Sequence, residues 1–317
     1  MRRTLLGAFA APLAGLLVGA GLSTPAAAQA PLRIMPLGDS ITVGVGSPGR
    51  NGYRIDLQRR LRDAGLAVDF VGSHRDGTAG DGDHEGVGGW TIDQIAAQVD
   101  QRLAESAPDV VLLHAGTNNI TRSEDPVAVA GKLSGLIDRV RLGAPRAHIY
   151  VAKIIGTSVA SEEPANRAYN ALIPSVVAAK DAMVHLVDQS TVAGLDIYDR
   201  HHPNEFGYRK MSYTWYQALR AAQYPELWSA GDPFRARQAY LCHARNQAVR
   251  DCRWWYLRKV STAGGATTVE RWQTRRWTTE TFREWQPGRY EHRGRARTWV
   301  PGRYVTKKRQ VAHWSSV

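Results

Sequence analysis

Ser40, Asp199 and His202 are the residues of this chain best suited to act together chemically. A serine hydroxyl is a weak nucleophile until a base takes its proton, and that base must be oriented by a further group. In "DRHHPN", residues 199–204, the aspartate and the second histidine are three apart. One turn can therefore bring the carboxylate to Nδ1 of the imidazole and leave Nε2 free to face Ser40. Pro203 steers the residue before it away from helical angles and holds His202 at a helix entrance. Attack on a carbonyl creates an oxyanion that needs donors aimed at it. The backbone N–H groups of Ser40 and Gly89 and the side-chain amide of Asn118 are suitable, and Gly89 permits close backbone approach.

These groups meet only if the fold gathers them. Apolar runs at 32–37, 68–72, 110–115, 148–155 and 184–188 are nearly continuous, as expected of strands covered on both faces. Helical patterns at 53–64, 91–105, 126–142, 164–180 and about 204–222 alternate with them. The alternation predicts an α/β fold in three α/β/α layers around a mostly parallel five-stranded sheet. Sites in such sheets collect beyond the carboxyl ends of the strands. "GDS" (38–40) follows the first run and "AGTNN" (115–119) adjoins the third, while "GVGGWT" (86–91) and "DRHHPN" each precede a helix. Four segments far apart in sequence thus converge at one rim.

Gly38-Asp39-Ser40-Ile41, Gly89, Gly116-x-Asn118 and Asp199-x-x-His202 resemble, in order, the four signature blocks of the SGNH (GDSL-type) hydrolases. The resemblance covers about residues 31–222. The wording "RIMPLGDSIT", "GYRIDLQRRL", "VDFVGS", "HEGVGGWTIDQI" and "DVVLLHAGTNN" is similar to the carbohydrate-esterase branch that includes acetylxylan esterases. The resemblance implies the flavodoxin-like fold of that family and a secreted enzyme that removes acetyl groups from polysaccharide hydroxyls. It implies Ser40 as nucleophile, His202 as general base, Asp199 orienting it, and Ser40, Gly89 and Asn118 as the oxyanion hole. It implies no metal or organic cofactor.

The chain departs from the family pattern at position 119, where Asn119 stands in place of the common Asp and removes a charge near the site. The doubled His201-His202 is resolved for His202 by the Asp-x-x-His-Pro spacing. There is no Gly-x-Ser-x-Gly elbow, which argues against an ordinary α/β-hydrolase. Asp39 reads as a loop stabiliser, and Trp90 either stacks on a sugar ring or packs beside its loop. His114 and His148 read as satisfied core histidines, and His84 with Glu85 lacks partners at metal-ligand spacing. Two other functions remain open: an esterase of the same fold acting on lipids or thioesters, and an envelope-binding protein whose hydrolase domain is idle.

Residues 1–28 read as a signal peptide, with Arg2 and Arg3 before an apolar stretch and small residues before a cleavage point after Ala28. The expected location is therefore secreted, periplasmic or at the cell envelope. Residues 31–228 form the expected hydrolase domain, and a boundary near "SAGDP" (229–233) precedes a basic extension at 233–317. That extension holds 19 Lys and Arg against 5 Asp and Glu, and 7 of the 10 Trp, so the basicity of the chain belongs to it alone. "WQPGRY" (285–290) recurs as "WVPGRY" (299–304) and resembles Trp-x-Pro-Gly repeats of bacterial envelope proteins. Pro-Gly turns flanked by Trp, Tyr, Val and Thr predict short β-hairpins. The extension is either a cationic, aromatic surface for anionic envelope polymers, lipid headgroups or polysaccharide, or a basic segment without order. Export argues against nucleic acid as its partner. Removal of the extension is expected to leave turnover of a small ester intact. Cys242 and Cys252 lie close together in this part, and the sequence leaves their pairing open.

Overall fold

The computed structural model describes residues 30–228, 231–245, 248–262, 264–265 and 267–316. The signal peptide expected at 1–28 lies outside the described residues, as do two residues of the boundary at 229–233. The chain runs through β1 (Leu32–Gly38), α1 (Ser40–Val43), α2 (Arg54–Asp63), β2 (Val68–Phe70), β3 (His74–Arg75), β4 (Asp83–Gly86) and α3 (Ile92–Ser106). It continues through β5 (Val110–His114), α4 (Thr117–Thr121), α5 (Pro126–Gly143), β6 (His148–Lys153), α6 (Glu163–Ala178), β7 (Val184–Asp188) and α7 (Glu205–Ala222).

The five expected strands pair in parallel in the order β2-β1-β5-β6-β7. Alternation along them sorts the core into two faces. Met35, Leu37, Val111, Leu113, Ile149 and Val151 meet α3, α5 and α6, whereas Ile34, Val110, Leu112, Tyr150 and Ala152 meet α2 and α7. Both faces are covered, which is why these runs read as continuously apolar; each fully buried Leu, Ile or Val side chain contributes roughly 1.5–3 kcal/mol. Helix starts are set by polar caps: Thr91 and Gln94 form a reciprocal capping box on α3, and the Asp125 carboxylate caps α5 ahead of Pro126.

The sheet gains two short strands that the apolar pattern did not reveal. β1 pairs with β2 only over Leu32–Ile34; near its carboxyl end β4 takes over that edge at Leu37 and Gly38, and β3 lies antiparallel to β4. β4 is "DHEG", whose His84 and Glu85 are buried through hydrogen bonds rather than apolar contact. His84 Nδ1 accepts from Gly86 N–H and its Nε2 contacts Asp76, while Glu85 accepts from Ser73 N–H.

The extension is built of β8 (Gln238–Arg245), β9 (Val249–Ser261), β10 (Thr268–Gln286), β11 (Arg289–Arg293), β12 (Ala296–Val300) and β13 (Arg303–Ser316). β8, β9, β10 and β13 form an antiparallel sheet in the order β13-β10-β9-β8, and β11 pairs with β12. Cys242 and Cys252, directly opposite on β8 and β9, form a disulfide. The Trp-x-Pro-Gly-Arg-Tyr repeat has a physical explanation here, because the two copies cover one another. Trp285 of the first copy pairs with Tyr304 of the second at 5.1 Å, and Trp299 of the second with Tyr290 of the first at 4.8 Å. A Cβ on Gly302 would overlap the Trp285 ring and a Cβ on Gly288 the Trp299 ring. Each Pro-Gly turn is thus capped by the tryptophan of the other copy. Gly302→Ala is expected to lower the unfolding free energy of the extension by about 1–3 kcal/mol, the range for overpacking. Urea denaturation followed by tryptophan fluorescence measures this, and an unchanged midpoint would contradict the reciprocal packing.

Candidate active site

β1 ends at Gly38, where a Cβ would overlap the carbonyl oxygen of His114 on β5. The absence of a side chain lets the two strand ends close together directly beneath Asp39 and Ser40. Asp39 caps the single-turn helix α1, its Oδ1 accepting from Ile41 N–H at 2.9 Å. It is fully buried, and burial pushes its carboxyl up to about 6 against the opposing pull of that N–H and of the His202 charge. Ser40 opens α1 and stays partly exposed at the rim.

Ser40 Oγ lies 2.8 Å from His202 Nε2, and His202 Nδ1 lies 2.8 Å from Asp199 Oδ2 and 3.0 Å from Oδ1. Asp199 Oδ1 also accepts the backbone N–H groups of Arg200, His201 and His202. Burial alone would raise the Asp199 carboxyl, but the His202 ring and these backbone donors outweigh it and hold the group well below the usual carboxylate range. It is therefore a fixed anion. His201 turns away, its Nε2 2.6 Å from Glu162, and His202 is the ring that faces Ser40.

The loop carrying Asp199 and His202 is closed at its base. Tyr198 N–H donates to His202 C=O and Asn204 N–H to Asp196 C=O, each at 2.7 Å, with Ile197 and Pro203 bridged between them. Asn204 then caps α7 through Gly207 N–H. Neighbouring elements hold the loop from two sides that the sequence did not announce. Ser158 donates its hydroxyl to Asp199 C=O at 2.8 Å and its N–H to Arg200 C=O. From the extension, Ala244 N–H donates to Tyr198 C=O at 2.7 Å and His243 Nδ1–H to Ile197 C=O at 2.8 Å. Phe206, at the start of α7, packs edge-on to Trp272 within a small apolar cluster shared with Ala239, Leu241 and Trp255. "QAYLCHAR" (238–245) reads as a strand, but no pattern in it names its partner. These contacts tie the extension to the loop that carries Asp199 and His202, which runs against the expectation that its removal leaves turnover intact.

On the other side of Ser40 stands the turn at 87–90. A Cβ on Gly88 would lie 3.8 Å from that of Ser40. Gly89 has φ of +80° and open space around its Cβ position, so its need for glycine comes from the backbone angle rather than from protein packing. Among the described residues, neither Ser40 N–H nor Gly89 N–H is engaged in a hydrogen bond. Asn118, on α4, donates its amide to Trp90 C=O at 2.9 Å and approaches Asp39 Oδ2 at 3.4 Å, which fixes the amide beside the turn. The three donor groups expected from the sequence therefore belong to segments in mutual contact.

Of the remaining candidates, Trp90 packs on the core beside α3. Asn119 is fully buried; its Oδ1 accepts from Ile92 N–H and its Nδ2 donates to Glu124, at 3.0 Å each. An aspartate would keep the first bond and face Glu124 with like charge, so the amide suits this site. His148 is partly exposed and hydrogen-bonds His185 at 2.9 Å. His114 corrects the expectation of a satisfied core histidine: it is fully buried with neither ring nitrogen partnered among the described residues, and burial pushes it down to about 4. No group of three His, Cys, Asp or Glu among the described residues is placed to hold a metal.

Comparison with known proteins agrees with the fold. Residues 37–210 match the GDSL-like Lipase/Acylhydrolase family. A Clostridium thermocellum family 3 carbohydrate esterase superposes with a TM-score of 0.54 at 36% identity, covering 61% of this chain and 96% of that one. A carbohydrate esterase family 3 structure from Talaromyces cellulolyticus gives 0.53 at 28% identity, covering 60% and 97%. A multidomain esterase of Ruminococcus flavefaciens is 28% identical over 220 residues, 59% of this chain. The chain spans only 28% of that relative's length.

Two outcomes follow from the site. A chain ending at residue 232 loses both bonds from β8 to the loop, and its rate on p-nitrophenyl acetate is expected to fall by about tenfold or more, since small misplacements of reacting groups carry such costs; an unchanged rate would contradict the buttressing role. Burial holds the Asp39 proton in the folded state up to about 6, whereas the unfolded chain releases it near 4. Stability from this group is therefore lost as pH rises from 4 to 6, by about 3 kcal/mol, and is level above that. Asp39→Asn, which still caps α1, should flatten that slope in urea titrations at a series of pH values.

Proposed function

As a member of the GDSL-like lipase/acylhydrolase family, this chain is, we propose, a serine esterase that hydrolyses short acyl esters, acetyl above all, on carbohydrate. The observation that carries the reading is the continuous relay from Ser40 Oγ through His202 to Asp199. His202 Nε2 takes the Ser40 proton as Oγ attacks the acyl carbon. The oxyanion is stabilised by Ser40 N–H and Gly89 N–H; the Asn118 amide, which donates to Trp90 C=O and approaches Asp39 in the free site, joins them by turning one N–H from the Asp39 carboxylate to the oxyanion. His202 then returns the proton to the departing sugar oxygen, leaving an acyl-serine and a free hydroxyl. A water, deprotonated by the same ring, attacks the acyl-serine, and the ring returns that proton to Ser40 Oγ as the bond to it breaks and acetate is released. Asp199 stays anionic throughout, holds the ring tautomer and stabilises the imidazolium.

The carbohydrate esterases among the solved relatives support an acetylated polysaccharide as substrate class. Export to the periplasm, envelope or medium is supported by the leader pattern at 1–28 and by the Cys242–Cys252 disulfide, which needs an oxidising compartment. The intact relay favours turnover over an idle hydrolase domain. The test is acetate release from acetylated xylan set against release of long acyl chains from lipid and thioester substrates. Acetate release should dominate, and Ser40→Ala should lower it by about three orders of magnitude or more. Preference for long chains would assign the site to lipids, and equal turnover by Ser40→Ala would remove the mechanism.

A further inference from the structure

The sheet of the extension segregates its charges by face. In the strand register, Tyr240, Trp254, Tyr256, Arg275 and Trp314 share one face, while Ala239, Trp255 and Trp272 share the face turned to the body. The four Asp and Glu of this sheet, Asp251, Glu270, Glu280 and Glu284, all fall on the body-side face. Each is paired there, Asp251 with Arg245 and Arg253, Glu270 with Arg237, Glu280 with Arg309, and Glu284 with Lys307. The outer face holds no acid among its described residues. Its cations Arg258, Arg275, Arg283 and Lys308 have no carboxylate partner among the described residues, whereas Arg250 and Arg271, at the end of the same face nearest the body, meet the 194–199 loop, Arg250 over the Tyr198 ring at 5.6 Å.

Those cations are laid over rings. The guanidinium of Arg258 lies 3.8 Å from the Trp314 ring, that of Arg275 4.6 Å from Tyr256, and that of Arg283 4.9 Å from Tyr304. Stacking keeps each guanidinium flat; Arg258 gives one N–H to Gln273 and Arg275 one to Tyr256 Oη, and the remaining edge N–H groups are available to a planar carboxylate. Trp254, Trp277 and Trp285 are each about half exposed. Trp277 and Trp285 are eight residues apart on one strand, about 27 Å at the usual strand rise. Between them stand Thr279 and Thr281 rather than aliphatic side chains, and the face holds no Leu, Ile, Phe or Met to wedge into a bilayer.

We propose that this outer face binds an acidic polysaccharide, with arginine edges taking uronate carboxylates and indole faces taking the C–H-rich faces of sugar rings. The choice of a polysaccharide over a polyphosphate rests on the esterase reading; the uncompensated cationic face itself does not.

The test uses the full chain carrying Ser40→Ala, so that binding is read whether or not the esterase assignment stands. Retardation is measured in gels containing polygalacturonate, neutral arabinoxylan or polyphosphate, with phosphatidylglycerol vesicle flotation as a fourth arm. Polygalacturonate should retard the chain most, with the effect lost as salt is raised. Two pairs of substitutions remove the same charge from adjacent positions on opposite faces. Arg275→Ser with Lys308→Ser should weaken polygalacturonate binding by about tenfold, and Arg276→Ser with Lys307→Ser by less than about twofold. Trp277→Ala should weaken it by about fivefold. In the background with Ser40 intact, both pairs should leave p-nitrophenyl acetate turnover unchanged, which shows that the fold is kept. Equal losses from the two faces, tighter binding of polyphosphate or vesicles, or no retardation by polygalacturonate would overturn the proposal.

Discussion

The carboxylate of Asp199 is the constraint on which the rest of the site depends. One of its oxygens gathers three successive backbone N–H groups, and both oxygens face the His202 ring. A carboxylate so surrounded stays ionised and shapes its own loop, so the residue that orients the histidine also dictates the backbone that presents it. The loop is then tied at its neck to α7 and flanked by the segment after β6 and by β8. The serine is brought to meet it by the opposite end of the chain, through a strand end and a one-turn helix fixed by a buried aspartate.

Much of this was legible from residue types alone. The five parallel strands announced themselves because burial on both faces forces unbroken apolar runs, and the five long helices because one stripe of each meets that sheet. The site segments were legible for a related reason, since strand ends and helix starts in such a fold share a rim. What escaped notice was held by polar contacts. β4 is buried through His84 and Glu85, which look like surface residues in a sequence. His114 looked like a core histidine with partners and has none among the described residues. Ser158 and Ala244 support the Asp199 loop through main-chain and hydroxyl hydrogen bonds, which leave no periodic trace.

The extension shows most plainly how sequence composition can mislead about role. Its basic, tryptophan-rich character suggested a separate appendage, yet one face of its sheet is the outer wall of the Asp199 loop. The repeat within it is explained by two turns shielding each other, a local packing solution in which each glycine exists to admit a distant indole ring. The same strands expose on their far face an uncompensated row of cations stacked on aromatic rings. One thin sheet thereby serves two neighbours, the protein body behind it and a ligand in front.

The most direct measurement of the central claim is covalent trapping. A fluorophosphonate reacts with a serine only when a neighbouring base has activated the hydroxyl, so peptide mass spectrometry after brief exposure reads the relay at the level of one residue. The account predicts a single adduct on the peptide containing Ser40, formed quickly by the intact chain and slowed by orders of magnitude in His202→Ala and, less severely, in Asp199→Ala. An adduct elsewhere, or labelling of Ser40 at the same rate without His202, would contradict it.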